Sequence, residues 1–237
     1  MSQKSNDNLS LNLPLIGQVH SPYGQKFAVP RQSALAPDVV SELEFFAPYG
    51  DPQAFIGIEG FSHLHLIFYF HQVPAEEFRA MVRPPRLGGN LHLGVFATRS
   101  PFRPARLGLS IVKLERIYQV NGLVRLQVSG ADVVDGTPIV DIKPYIPFVD
   151  ALPHAQGGFA SMPPKIKKVV FTSRAQQDLQ ALTAREFKAL EQILAQDPRP
   201  AYKAEHDDPK IYYAKLFGYN VAFGVKADTV TVLEAVK

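Results

Sequence analysis

The sequence predicts a mainly β protein, with an N-terminal β-barrel followed by a small α+β appendage. Three observations carry this. Up to residue 145, apolar residues recur with period two between turns marked by Pro and Gly, and few helical patterns intervene. Residues 146–164, IPFVDALPHAQGGFASMPP, interrupt that text with Pro, Gly and small residues, as a linker does. Beyond them come two helix-start signatures and then segments rich in Tyr, Phe and Val. The expected organisation is a disordered polar tail over 1–12, a barrel over 13–150, a linker over 151–164 and an α+β domain over 165–237.

The elements follow in order. Leu13 to His20 suits a first strand, stopped by Ser21-Pro22, where proline withdraws a ladder donor. In residues 61–71, FSHLHLIFYFH, Leu64, Leu66, Phe68 and Phe70 fall on one face and His63, His65, Ile67, Tyr69 and His71 on the other. Leu91 to Ala97 can form a further strand. Leu107 to Gln127 reads as a hairpin about Asn121-Gly122, a pair suited to a tight turn in which both residues need positive φ. Closure into a barrel would remove the exposed edges of such short strands. In the second half, Ser173 with Gln176 and Thr183 with Glu186 predict two short helices with a break near 182. Asp197-Pro198-Arg199-Pro200 ends the second, and strands are expected near 211–217, 220–225 and 229–236.

Composition bounds the chemistry. A chain of 237 residues with 46% hydrophobic residues can bury a sizeable core, and a net charge of +3 sets up no global field. There is no cysteine, which removes disulfides, thiolate nucleophiles and zinc–thiolate sites. The N-terminal MSQKSNDNLSLNLPL lacks the apolar core of a signal peptide, and no run approaches a membrane span, so a cytoplasmic protein is expected.

Charge is instead concentrated locally. Arg79, Arg83, Arg86, Arg99, Arg103 and Arg106 lie in one stretch without a single Asp or Glu between them, interleaved with Pro and Gly. Rigid guanidinium forks on loops suit phosphate or carboxylate. No GxxxxGK[ST] or GxGxxG is present, which argues against a P-loop and a doubly wound cofactor fold. His63, His65 and His71 could begin a metal site, although an HxH in an apolar strand is more often packed and hydrogen-bonded. Ser100 sits in TRSPF rather than in a nucleophile elbow. Asp132, Asp135 and Asp141 form an acidic group; Asp135-Gly136-Thr137-Pro138 spells a turn that Asp135 could cap, or the acids could accept a proton or bind a cation.

Several blocks together resemble a known family. Ser21-Pro22-Tyr23, Pro30-Arg31-Gln32, Phe61-Ser62-His63, His71-Gln72, RPPRLGG at 83–89, GVFATRSPFRP at 94–104 and DVVDGTPIVDIKPY at 132–145 are similar to the TrmO (TsaA-like) tRNA methyltransferases, and QDPRPAY at 196–202 is similar to their bacterial C-terminal extension. The resemblance implies a homodimeric, non-Rossmann β-barrel enzyme that uses S-adenosylmethionine to methylate N6-threonylcarbamoyladenosine at position 37 of tRNA. It implies cofactor contacts at Pro30, Arg31, Gln32, His71, Gln72, Arg99 and Leu109 and at Gly130, Ala131 and Asp132. The chain departs from the family's usual Asn-Pro at Ala105-Arg106.

Methyl transfer demands positioning more than covalent chemistry, and a carbamoylated adenine nitrogen needs help losing its proton. A carboxylate of Asp132 or Asp135, or the Tyr145 phenol, is the expected acceptor. Arg83, Arg86 and Arg103 are the expected contacts to RNA phosphate or to the threonine carboxylate. The other readings are a non-catalytic RNA-binding barrel and a metal-dependent barrel enzyme built on His63, His65 and His71.

Overall fold

The computed structural model describes residues 11–74, 79–203 and 206–237. Most of the expected tail therefore lies outside the described residues. Strands β1 (Gly17–His20), β2 (Val40–Phe45) and β3 (His63–Tyr69) are followed by the two-residue strands β4 (Met81–Val82) and β5 (Leu93–Gly94). Three longer strands complete this half: β6 (Leu107–Val120), β7 (Leu123–Ser129) and β8 (Thr137–Pro144). Six of them close into an antiparallel barrel in the order β1-β2-β7-β6-β3-β8.

Alternation explains the closure. Leu64, Leu66 and Phe68 of β3 point inward beside Leu43, Leu126 and Ile139, all nearly fully buried, each contributing roughly 1.5–3 kcal/mol by leaving water. Asn121 and Gly122 both take positive φ (52° and 80°), as the β6–β7 hairpin requires. Gly108 lies against the Phe68 ring, where an added Cβ would stand 2.3 Å from its Cζ.

Differences from expectation have local causes. The first strand begins only at Gly17, because Leu11, Leu13 and Leu15 are exposed. Of the strand expected over 91–97, two residues pair and Val95–Ala97 turn into a 3-10 helix. Strand β2 was not anticipated, although Ser41, Leu43 and Phe45 alternate inward; β8 was hidden by its two prolines and its acidic residue.

After the short helix α1 (Pro147–Asp150), the second sheet runs β10-β11-β12-β9, with β9 (Lys168–Phe171) parallel to β12 (Thr229–Val236). Strands β10 (Asp208–Leu216) and β11 (Tyr219–Lys226) match two of the expected strands with longer bounds, and β9 is an addition. Helix α2 (Ser173–Asp178) is capped by Thr172, one residue earlier than expected. The break near 182 precedes α3 (Ala184–Ala195), whose Thr183/Glu186 capping box forms in full. Leu190, Ile193 and Leu194 of α3 pack on the sheet.

The barrel and the second sheet share a segment. The loop of residues 21–39, between β1 and β2, sends Tyr23, Ala28, Ala36 and Val39 into the core of the second unit. Tyr23 bridges to Leu216, and Phe217 N donates to Pro22 O at 3.1 Å.

Candidate active site

Strand direction gathers the functional loops. β1, β3 and β7 end, and β2, β6 and β8 begin, at one mouth of the barrel. That mouth therefore carries the 21–39 loop, residues 70–74 and the Arg-rich residues 79–106, and the turn of residues 130–136. All the expected cofactor contacts except Leu109 lie on these loops.

Specific bonds hold the loops together. Arg99 Nη1 donates to Gln32 Oε1 at 2.6 Å. Lys26 Nζ donates to the Gln72 carbonyl, and Ala34 N to the Gly130 carbonyl at 2.9 Å. Beneath them Ser110 Oγ donates to the half-buried Asp132 carboxylate. Burial pushes the Asp132 carboxyl up, opposed by the Ser110 hydroxyl and by the charge of Arg99. Burial and the nearby Lys26 ammonium together hold His71 below the usual histidine value. Arg31 is lowered by burial, against the pull of Asp197. Pro30 and Gly130 are buried and Ala131 is 2% exposed, so they shape the mouth through backbone. Leu109 differs. It is 54% exposed on the outer face of β6, opposite Ile67 of β3.

The arginines divide by role. Arg83 and Arg86 are exposed, Arg83 Nε donating to His92 at 2.9 Å and Arg86 to the Met162 carbonyl. Arg103 turns inward and donates to Thr98 O at 2.6 Å and Ser100 O at 3.2 Å, so this expected RNA contact is a clamp for its own turn. Arg106 donates to Val73 O at 3.1 Å and lies 4.9 Å above the Tyr69 ring, which gives the departure from the family pattern a partner.

The two expected proton acceptors stand apart. Asp135 is at the mouth, where its Oδ1 accepts from Ser21 N at 3.0 Å and lies 4.0 Å from His20. Tyr145 follows β8 at the His63 end of β3, seven residues and roughly 20 Å away along the strand. It packs 5.5 Å from the His65 ring. One chain alone does not bring the two together, because β3 and β8 run the height of the barrel between them. The histidines do not converge either: His63 bonds Ser62, His65 bonds Asp150, and His71 is at the mouth. Among the described residues no group of three or more His, Asp or Glu could hold a metal. Ser100 caps a turn, accepting from Phe102 N.

A family model described as the tRNA-methyltransferase O N-terminal domain matches residues 18–151, and one described as the TrmO C-terminal domain matches 164–237. The chain belongs to the TrmO family. A tRNA (adenine(37)-N6)-methyltransferase of Escherichia coli K12 is 44% identical over 220 residues, 91% of this chain and 94% of that one. A Pseudomonas aeruginosa protein described as a putative S-adenosylmethionine-dependent methyltransferase RcsF is 45% identical over 192 residues, covering 79% and 81% of the two chains. The crystal structure of TrmO from Pseudomonas aeruginosa superimposes with a TM-score of 0.79 at 33% identity, covering 97% of this chain and 99% of that one. Membership in the TrmO family agrees with the barrel and its appended sheet.

Three participants at the TrmO-type mouth were given no role by the sequence, although Tyr23 belongs to one of the resembling blocks. Lys26 carries no local signal. Tyr23 is fully buried with its hydroxyl unpartnered, and burial followed by the Asp132 charge drives its phenol far above the ordinary value. The His20–Glu44 pair, 2.6 Å apart, spans two strands and is visible only once β1 and β2 pair.

Proposed function

We propose that this protein is an S-adenosylmethionine-dependent tRNA methyltransferase that methylates N6 of threonylcarbamoyladenosine 37, working as a cytoplasmic homodimer. The observation that carries this reading is the Arg99–Gln32 bond, which joins two sequence-distant blocks at positions the family resemblance gives to the cofactor. The names of the relatives support it. No described helix is long and apolar enough to cross a membrane.

The donor set suits the cofactor. Leu109 offers an apolar wall for an adenine, the buried Pro30 shapes the backbone beside it, Asp132 offers an acceptor, and Arg31 and Arg99 offer cations for a carboxylate. When bound, S-adenosylmethionine supplies an electrophilic methyl on a sulfonium. Asp135 then takes the N6 proton on the oxygen that Ser21 does not engage. Arg83 and Arg86 retain free donors for phosphate or for the threonine carboxylate. Arg103 is dropped from that role.

The outer face of β3, β6 and β8 supports the homodimer. Leu109, Ile111 (37% exposed), Ile67 and Tyr145 share it, and water is an unfavourable neighbour for such a patch. Pairing through it would deliver Leu109 and Tyr145 of one copy toward the mouth of the other, which is how both retain their expected roles.

The deciding assay incubates protein and labelled S-adenosylmethionine with tRNA carrying or lacking the threonylcarbamoyl group, and reads nucleosides by mass spectrometry. Product confined to carbamoylated tRNA is expected. Absence of product with tRNA still bound would favour the binding-module reading.

A further inference from the structure

The loop that carries Pro30-Arg31-Gln32 is conformationally costly. Ala28 and Ala34 on either side of it have φ of 72° and 62°, a left-handed backbone that disfavours any residue with a Cβ by about 1 kcal/mol or more each. Such a conformation persists only where surrounding structure imposes it.

The surrounding structure is the second unit. Phe27 stacks on Tyr212 and Phe223 with centroids 6.2 and 6.3 Å away, and Ala28 enters the same core. At the far side, Gln196 Nε2 donates to the Leu35 carbonyl at 3.3 Å. Between these anchors, Arg31 Nη2 donates to the carbonyl of Arg199 at 3.4 Å. Arg199 itself is 1% exposed and cannot drift. Its Nε and Nη2 grip Asp197 at 2.8 Å each, and its Nη1 donates to the His206 carbonyl at 3.1 Å.

Gln196 also leaves its Oε1 buried and without a partner. An unpaired buried acceptor is costly, and a side chain kept at that cost is kept for its donor. A cleft of about 220 Å³ lies between the loop and this turn, with Val29, Pro30 and Arg31 on one wall and Ile193, Gln196 and Asp197 on the other, so beyond the packed Phe27 and Ala28 the polar bonds fix the loop's position.

We infer that the Gln196–Pro200 turn of the C-terminal unit positions the Pro30–Gln32 loop for the cofactor, with Gln196 as the positioning residue. This rests on reading Pro30–Gln32 as a cofactor contact. It gives the C-terminal unit a role in cofactor affinity rather than in RNA binding.

The test uses the full-length protein with Gln196→Met and Gln196→Glu, both of which keep the size of the side chain and remove its donor. Hydrogen exchange of peptides spanning 29–36, without ligand, is expected to accelerate about fivefold, the size carried by one neutral hydrogen bond. The dissociation constant for S-adenosylmethionine by calorimetry is expected to rise by a similar factor, with kcat at saturating cofactor and the KM for tRNA within twofold of wild type. Unchanged exchange overturns the inference. So does faster exchange with unchanged cofactor affinity, or a loss confined to kcat. If the wild-type protein binds no S-adenosylmethionine, the proposed function falls and the inference with it, while the exchange data still say whether Gln196 holds the loop. If Gln196→Met fails to fold, Gln196→Glu carries both measurements.

Discussion

The guanidinium of Arg99 reaches across the barrel mouth to Gln32 Oε1 at 2.6 Å, joining two loops that lie 67 residues apart in the chain. Arg99→Lys keeps the charge and loses the planar fork. The dissociation constant for S-adenosylmethionine is expected to rise about tenfold, roughly 1.4 kcal/mol, measured by calorimetry. A value within twofold of wild type would take Arg99 out of the site.

Asp135→Asn removes the proposed proton acceptor but leaves the proposed cofactor contacts in place. Turnover should fall about a hundredfold or more while cofactor affinity holds. Tyr145→Phe is expected to cost turnover through the neighbouring copy. Mixing the two variants under subunit exchange should then restore about a quarter of wild-type activity, because half the dimers carry one intact site. No recovery on mixing would place both groups in one chain or remove Tyr145 from the chemistry.

Glu115 of β6 receives Arg185 of α3 at 2.8 Å and the Ser129 hydroxyl at 2.8 Å, and these bonds hold its carboxyl down to about 2. A depressed carboxylate stabilises the fold above the ordinary carboxylate range, and that stability disappears as pH falls through about 2. Arg185→Ala should cost about 1 kcal/mol at pH 7, allowing for solvent screening of the half-exposed arginine. In urea titrations the gap from wild type should close by pH 2. A gap independent of pH would mean that the arginine acts by packing.

Gly108→Ala places a methyl into the Phe68 ring. The ring cannot withdraw, since it also meets Phe70 edge-on at 5.1 Å. Urea unfolding should report a loss of about 1–3 kcal/mol. A neutral result would show a barrel mouth looser than its packing implies.

Much of the fold was readable where one side chain pattern sufficed. The β3 alternation, the Asn121-Gly122 turn and the Thr183/Glu186 box each encode their geometry within a few residues. Strand β2 was missed because VSELEF buries a serine and leaves two glutamates partly buried, where they pair with Arg125 only after β7 lies alongside. Strand β9 was missed because four residues are too few to show a period. At the site, sequence singled out the blocks but not their joins. Arg103 looked like its neighbours until its guanidinium was seen on its own loop's carbonyls, and nothing near Tyr145 announces its distance from Asp135.

The sharing of the 21–39 loop between two cores also sets an order of events during synthesis. The barrel strands are complete once Pro144 has emerged, yet Phe27 must wait for Tyr212 and Phe223 before it has rings to stack on. At ordinary elongation rates that wait lasts roughly four to sixteen seconds. Throughout it the 21–39 loop lacks the apolar partners that shape it, so a chain stalled before β10 carries that loop without its core, and strands made late set the form of a loop made early.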